Sequence, residues 1–162
     1  MTSTLRFATP ADAAAIARIW HAGWQDAHLG NVPDELLTAR TPDSFTERAL
    51  DRATNADAEA KTVVADVDGT VAGFVMVLDD EVEQVYVDAA FRGGAVAPAL
   101  LAEAERLVAA GGHETAWLAV VAGNARARRY YERHGWTDGG PFNHIAPGEI
   151  VVPAHRYTKT VR

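Results

Sequence analysis

The stretch from Glu81 to Leu101 constrains the chain most. Its first part, Glu81-Val-Glu-Gln-Val-Tyr-Val-Asp88, alternates. Val82, Gln84 and Tyr86 are expected to face one way, and Glu81, Glu83, Val85 and Val87 the other, as in a strand. Gly93 and Gly94 follow, flanked by small residues and Arg92. Ala97, Leu100, Leu101, Ala104, Leu107 and Val108 then form one apolar helical face. A strand, a glycine-bearing loop and a helix N-terminus make an anion-binding arrangement. The first amides of a helix lack internal partners, and the macrodipole favours negative charge there. A tight strand-to-helix connection accounts for the glycines equally well. There is no Lys-Ser or Lys-Thr pair after the glycines and no G-x-G-x-x-G, so neither the Walker A nor the dinucleotide motif is present.

The stretch Val85-Tyr-Val-Asp-Ala-Ala-Phe-Arg-Gly-Gly-Ala-Val-Ala-Pro-Ala-Leu-Leu101 resembles motif A of the GNAT N-acetyltransferases. The core of that motif, Arg/Gln-x-x-Gly-x-Gly/Ala, reads here Arg92-Gly93-Gly94-Ala95-Val96-Ala97. Ala95 departs from the usual Gly, and Pro98 removes one backbone donor near the helix start while being tolerated in a first turn. A second segment agrees. Asn124-Ala-Arg-Ala127 with Tyr131-Glu-Arg-His-Gly-Trp136 looks like the family's Asn-x-x-Ala-x-x-x-Tyr-Glu-x-x-Gly-Phe pattern, with Trp for Phe.

The rest of the chain reads in the same order as that family. Leu5 to Ala8 is a short strand. Thr9-Pro-Ala-Asp12 caps a helix carrying Ile16, Ile19, Trp20, Gly23, Trp24 and Ala27 at helical spacing. Asp34 to Ala39 is a weak helical turn, and Thr41-Pro-Asp43 starts a helix to about Thr54. Asn55 to Ala60 is a polar loop. Lys61 to Val67 and Thr70 to Leu78 are strands joined at Asp68-Gly69, and Asp79-Asp80 turns into the central strand. A helix over 96–110 ends at Gly111-Gly112. Thr115 to Val121 should run parallel to the central strand. A helix from Ala125 to His134, a short strand at Trp136 to Asp138, a loop-like stretch from Gly139 to Pro153 and a closing strand from Ala154 to Val161 complete it. The resemblance implies one α/β (α+β) GNAT domain over 1–162. Its mixed, mostly antiparallel sheet of about seven strands has a parallel central pair and about four flanking helices.

Composition bounds the function. With 162 residues and 48% apolar content the chain is long enough for a sizeable core. It contains no cysteine, so thiolate catalysis and disulfides are excluded. A net charge of −7 argues against nonspecific nucleic-acid binding and would suit a cationic substrate. No transmembrane run and no N-terminal signal pattern are read, so a cytoplasmic protein is expected. The six histidines lack ligand spacing, and no metal is expected. Ser3 and Ser44 lack a nucleophile-elbow context.

The resemblance also implies chemistry. It makes the chain an N-acetyltransferase that moves the acetyl group of acetyl-CoA directly to a primary amine, on a small molecule or a peptide. The rival is a catalytically silent GNAT-like module that binds CoA or regulates. An amine of pKa about 10.4 is almost wholly protonated at neutral pH, which costs roughly 4 kcal/mol unless a base intervenes. Glu81 or Glu83, or both together, would be that base. Glu81 fits the family's Glu-Leu-x-Gln-Leu-Tyr-Val form, and Glu83 lies nearer the acyl site by strand spacing. Tyr131 stands where the family carries its general acid, and Tyr130 is read as core. Val85, Tyr86 and Val87 would grip the pantetheine. Arg92, Gly93, Gly94, Ala95, Val96, Ala97 and Pro98 would hold the pyrophosphate. Asn124 would contact the pantetheine or cap its helix. Trp24, His28 and the stretch from Gly139 to Pro153 would shape the acceptor pocket. Members of the family often form homodimers.

Overall fold

The computed structural model describes residues 3–28, 30–54, 59–146 and 149–162. Most of the expected polar loop after Thr54, and Pro147 with Gly148, lie outside the described residues. Seven strands form one sheet: β1 (Ser3–Phe7), β2 (Ala60–Val67), β3 (Thr70–Leu78), β4 (Glu81–Val87), β5 (Thr115–Val121), β6 (Thr137–Ala146) and β7 (Ile150–Thr160). Their order is β1-β2-β3-β4-β5-β7-β6. Every neighbouring pair is antiparallel except β4 and β5. The helices are α1 (Ala13–His28), α2 (Asp34–Ala39), α3 (Pro42–Thr54), α4 (Val96–Ala110) and α5 (Ala125–Arg133).

Local chemistry explains the boundaries. Asp12 accepts from the Thr9 amide at 2.8 Å, while the Asp12 amide donates to the Thr9 carbonyl at 2.9 Å. This reciprocal cap starts a short 3-10 turn that runs into α1. The β2–β3 hairpin turns at Asp68 and Gly69, with φ of 51° and 87°, the left-handed pair such a turn requires.

The sheet is covered on both faces, so β2 and β3 are apolar on both sides. Val63, Val75 and Val77 pack under Leu100, Leu101 and Val108 of α4. Val64, Phe74 and Met76 pack on the other face against Ile16 and Trp20 of α1 and Phe45 of α3. No described helix is long and apolar enough to cross a membrane.

Two expectations are corrected. The stretch from Gly139 to Pro153 is not a loop: β6 and β7 pair through it, from Pro141 with His155 to Ala146 with Ile150. Pro141 and Pro153 suggested a break but sit where the sheet accommodates them. Pro141 follows an irregularity at the edge strand. Pro153 accepts from the Ala122 amide at 3.0 Å, just past the end of β5. Its missing N–H faces the same side, where the Ala122 carbonyl accepts from Arg128 Nη1 at 3.2 Å instead. The second correction is the facing of β4. Met76 pairs with Gln84 and Val77 with Val82, which leaves Glu83 as an extra residue in a β-bulge. The bulge shifts the alternation, so Val82 joins Val85 and Val87 beneath α4. Tyr86 packs on the opposite face.

Candidate active site

β4 and β5 are joined at one end and apart at the other. Their one paired position is Glu81 with Trp117. Just before it, the Trp117 amide donates to the Asp80 carbonyl at 3.1 Å, and the indole Nε1 donates to the Asp80 carboxylate at 3.0 Å. Beyond this seam the strands diverge, and a cleft of about 400 Å³ opens between them. Glu81, Glu83, Val85 and Tyr86 line it from β4, and Leu118 to Val121 from β5. Asn124 and Tyr131 line it from the α5 segment, and Trp24 and His28 from α1.

The two carboxylates differ. Glu83 is paired with Arg52 of α3 at 2.7 Å, and both side chains are largely shielded. Glu81 has no ion pair within the described residues. Burial first, then the charges of Glu83 and Asp80, raise its pKa to about 7. A carboxyl poised there exchanges protons near neutrality.

Tyr131 of α5 lines the same cleft as Glu81, and burial raises its phenol well above the ordinary value. The phenol is therefore a donor at neutral pH. Tyr130 lies off the cleft, and its ring packs on His134 at 4.2 Å. The Asn124 side chain accepts from the Ala127 amide at 3.2 Å, so it caps α5 while lining the cleft.

The loop before α4 fits an anionic ligand. The first bond of that helix runs from the Ala99 amide to the Ala95 carbonyl. The amides of Gly94, Ala95, Val96 and Ala97 thus have no acceptor among the described residues. Pro98 withdraws only the next one. A Cβ placed on Gly94 would meet nothing nearer than the Phe91 carbonyl at 3.7 Å. The protein itself therefore does not require glycine there, and the space lies open for a phosphate.

Arg92 and Val87 are placed differently from expectation. Arg92 pairs with Asp26 of α1 at 3.1 Å, and its Nε donates to the Val87 carbonyl at 3.3 Å. That carbonyl is thus already engaged, and of the three expected pantetheine residues Val85 and Tyr86 line the cleft while Val87 does not. Tyr86 is turned to the helical side, where its ring fills space left by Gly23; a Cβ on Gly23 would overlap it.

On that side Trp24 and His28 stack at 4.6 Å, and the His28 ring nitrogen lies 2.8 Å from the Trp24 carbonyl. Burial lowers the His28 pKa. Arg40, Arg48 and His144 complete the wall; His144 lies in the stretch from Gly139 to Pro153 expected there, while sequence reasoning passed over both arginines. A signal existed for Arg48. Phe45, Arg48, Ala49 and Arg52 fall at i, i+3, i+4 and i+7, so two arginines share the buried stripe of α3. Among the described residues no group of His, Asp or Glu gathers to hold a metal.

The chain belongs to the Acetyltransferase (GNAT) family, which it matches over residues 24–136, more than half of its length. GNAT enzymes use acetyl-CoA as substrate. Solved structures share the fold from end to end. PaiA N-acetyltransferase from Thermoplasma acidophilum, solved in complex with coenzyme A, is 17% identical, with a TM-score of 0.78 over 99% of each chain. A GCN5-related N-acetyltransferase structure from Rhodopseudomonas palustris is 22% identical, with a TM-score of 0.75 over 99% of this chain and 96% of that one. YncA from Salmonella typhimurium, solved with acetyl-CoA, is 20% identical, with a TM-score of 0.73 over 100% of this chain and 95% of that one. No curated protein matches the sequence.

Proposed function

We propose that this protein transfers the acetyl group of acetyl-CoA directly to a primary amine within a ternary complex. One observation carries the reading: the cleft at the split between β4 and β5 is lined by both Glu81 of β4 and Tyr131 of α5. The pyrophosphate would take the free amides of Gly94 to Ala97, with Gly93 giving the loop its turn at φ 79°. The pantetheine would lie along Val85 like an added strand, with Asn124 opposite.

Glu81 is the better base of the pair, because Glu83 is committed to Arg52. With a pKa of about 7, Glu81 lies closer to an ammonium than an ordinary carboxylate does, so the proton transfer is less uphill. The amine nitrogen then attacks the thioester carbon. The C–S bond breaks, the CoA thiolate leaves with a hydrogen bond from the Tyr131 hydroxyl, and the proton shed by the new amide nitrogen ends on that sulfur as the free thiol. The chain has no cysteine to carry the acetyl group, which supports direct transfer.

The test is a thermal shift with acetyl-CoA, followed by free-thiol release over a panel of amines. The expected result is a shift, with release that depends on the amine. A shift with no release from any amine would leave a binding module. No shift at all would overturn the acetyl-CoA assignment.

A further inference from the structure

The acceptor side of the cleft carries two guanidinium groups that have no ion pair among the described residues. Arg48 stacks its guanidinium over the Trp20 indole at 4.2 Å, which fixes its plane. One of its terminal nitrogens is shielded from water and has no hydrogen-bond partner, and the Nε of Arg40 is in the same state. Neither guanidinium forms an ion pair among the described residues, although both line the cleft. Burial lowers the Arg48 pKa to about 10, which still leaves it charged at neutral pH.

The other groups on that wall do not neutralise them. Glu83 forms its ion pair with Arg52 at 2.7 Å and acts on Arg48 only through space. Glu81 is drawn towards its protonated form. His28 and His144 are lowered by burial and are neutral at pH 7. Tyr86 keeps its proton, since burial raises its pKa. The protein as a whole has a net charge of −7, so this local excess of cation runs against its overall balance. Buried guanidinium groups without partners are costly, and a bound anion removes that cost.

We propose that the acceptor is an amino carboxylate, a small molecule whose carboxylate is held by Arg40 and Arg48 while its amine faces Glu81. This rests on the acetyl-transfer reading above and narrows it. Arginine suits the task because its planar fork matches a carboxylate. Polyamines and internal peptide lysines bring no such group and would leave both cations unanswered.

The test compares acids with neutral analogues. CoA thiol release would be followed with the proteinogenic α-amino acids, β-alanine and 4-aminobutyrate, each against its own carboxamide. Spermidine and a lysine-containing peptide would serve as further acceptors. The best acid should exceed its carboxamide by about tenfold or more in kcat/KM. Arg48→Gln and Arg40→Gln should each lower kcat/KM for the acid by about 10- to 100-fold, mainly through KM, and leave the carboxamide within about twofold. The acid–amide contrast is measured on the unaltered protein, so it stands even where a variant fails to fold. A carboxamide, spermidine or the peptide turned over as well as the best acid overturns the proposal. So do variants that depress acid and amide alike. An acetyl-CoA thermal shift, measured alongside, separates the two levels. A shift with release from a carboxamide, spermidine or the peptide but from no acid sinks this inference alone, and no release from any acceptor sinks the acetyl-transfer reading with it.

Discussion

Arg52 of α3 reaches across to Glu83 on β4 and pairs with it at 2.7 Å, while Glu81, two residues earlier, stands without such a partner. The bulge at Glu83 gives that carboxylate to the helix. The pair thus divides into a structural carboxylate and a titrating one, and the division can be measured.

The kcat/KM of the unaltered protein should rise with pH through about 7 as Glu81 loses its proton. Glu81→Gln should abolish that limb and lower kcat/KM at pH 7 by about 10²- to 10⁴-fold. Glu83→Gln should act otherwise. It removes a charge that raises the Glu81 pKa and frees Arg52, which lowers it, so the limb should move to lower pH. A limb that stays put in both variants would take Glu81 out of the mechanism.

Glu81 also shapes stability. Its carboxyl keeps its proton to about pH 7 when folded, against an ordinary value of 4.5. Between those values the folded state binds more protons than the unfolded one, so this group makes stability fall as pH rises across that window. The full shift corresponds to about 3 kcal/mol, and solvent screening of a partly exposed group reduces it to about 1 kcal/mol. Glu81→Gln should therefore be more stable than the unaltered protein at pH 8 by about 1 kcal/mol, and equal to it at pH 4. Paired chemical melts at the two pH values would show whether the gain has this sign.

Gly94→Val should remove acetyl-CoA binding without harming the fold. A Cβ there meets only ordinary van der Waals distance. The unaltered protein should gain about 2.7 kcal/mol at a ligand concentration of about 100 times Kd. The variant should melt at nearly the same temperature as the free protein whether or not acetyl-CoA is present. A retained shift would place the pyrophosphate elsewhere.

Tyr131→Phe should lower kcat by about tenfold to thousandfold, roughly 1.4 to 4 kcal/mol, with acetyl-CoA affinity nearly intact. Tyr130→Phe should do much less to the rate, since that side chain lies off the cleft. Its buried hydroxyl has no partner, so the deletion should cost little stability and can add some. The reverse ranking of the two rates would assign the donor role to Tyr130.

The fold was legible because its signals are local. Thr9 with Asp12, Asp68 with Gly69, and the apolar stripe of α4 each announce an element within a few residues. What hid was tertiary. Pro141 and Pro153 read as breakers, because only the sheet edge and the Arg128 contact to the Ala122 carbonyl show that their lost donors are harmless. The bulge at Glu83 has no glycine to mark it, so strict alternation put Val82 on the wrong face. In the site, Tyr131, Glu81 and Asn124 were found through segments that resemble a family pattern, and they do meet in one cleft. Arg40 and Arg48 were not found, because they come from the helical segment before the sheet, where the resemblance offered no motif.

The single seam at Glu81 and Trp117 bears on how the molecule melts. The backbone ladder runs without interruption from β1 to β4, and again through β5, β7 and β6, but crosses between these sections at that one position. Elsewhere the sections are held together by side chains, chiefly those of α4 and the core beneath it. A ligand spanning the split adds backbone partners to both sections and so ties their unfolding into one event. Calorimetry should report this as cooperativity: the van't Hoff enthalpy should approach the calorimetric enthalpy once acetyl-CoA is bound, and fall short of it in the free protein.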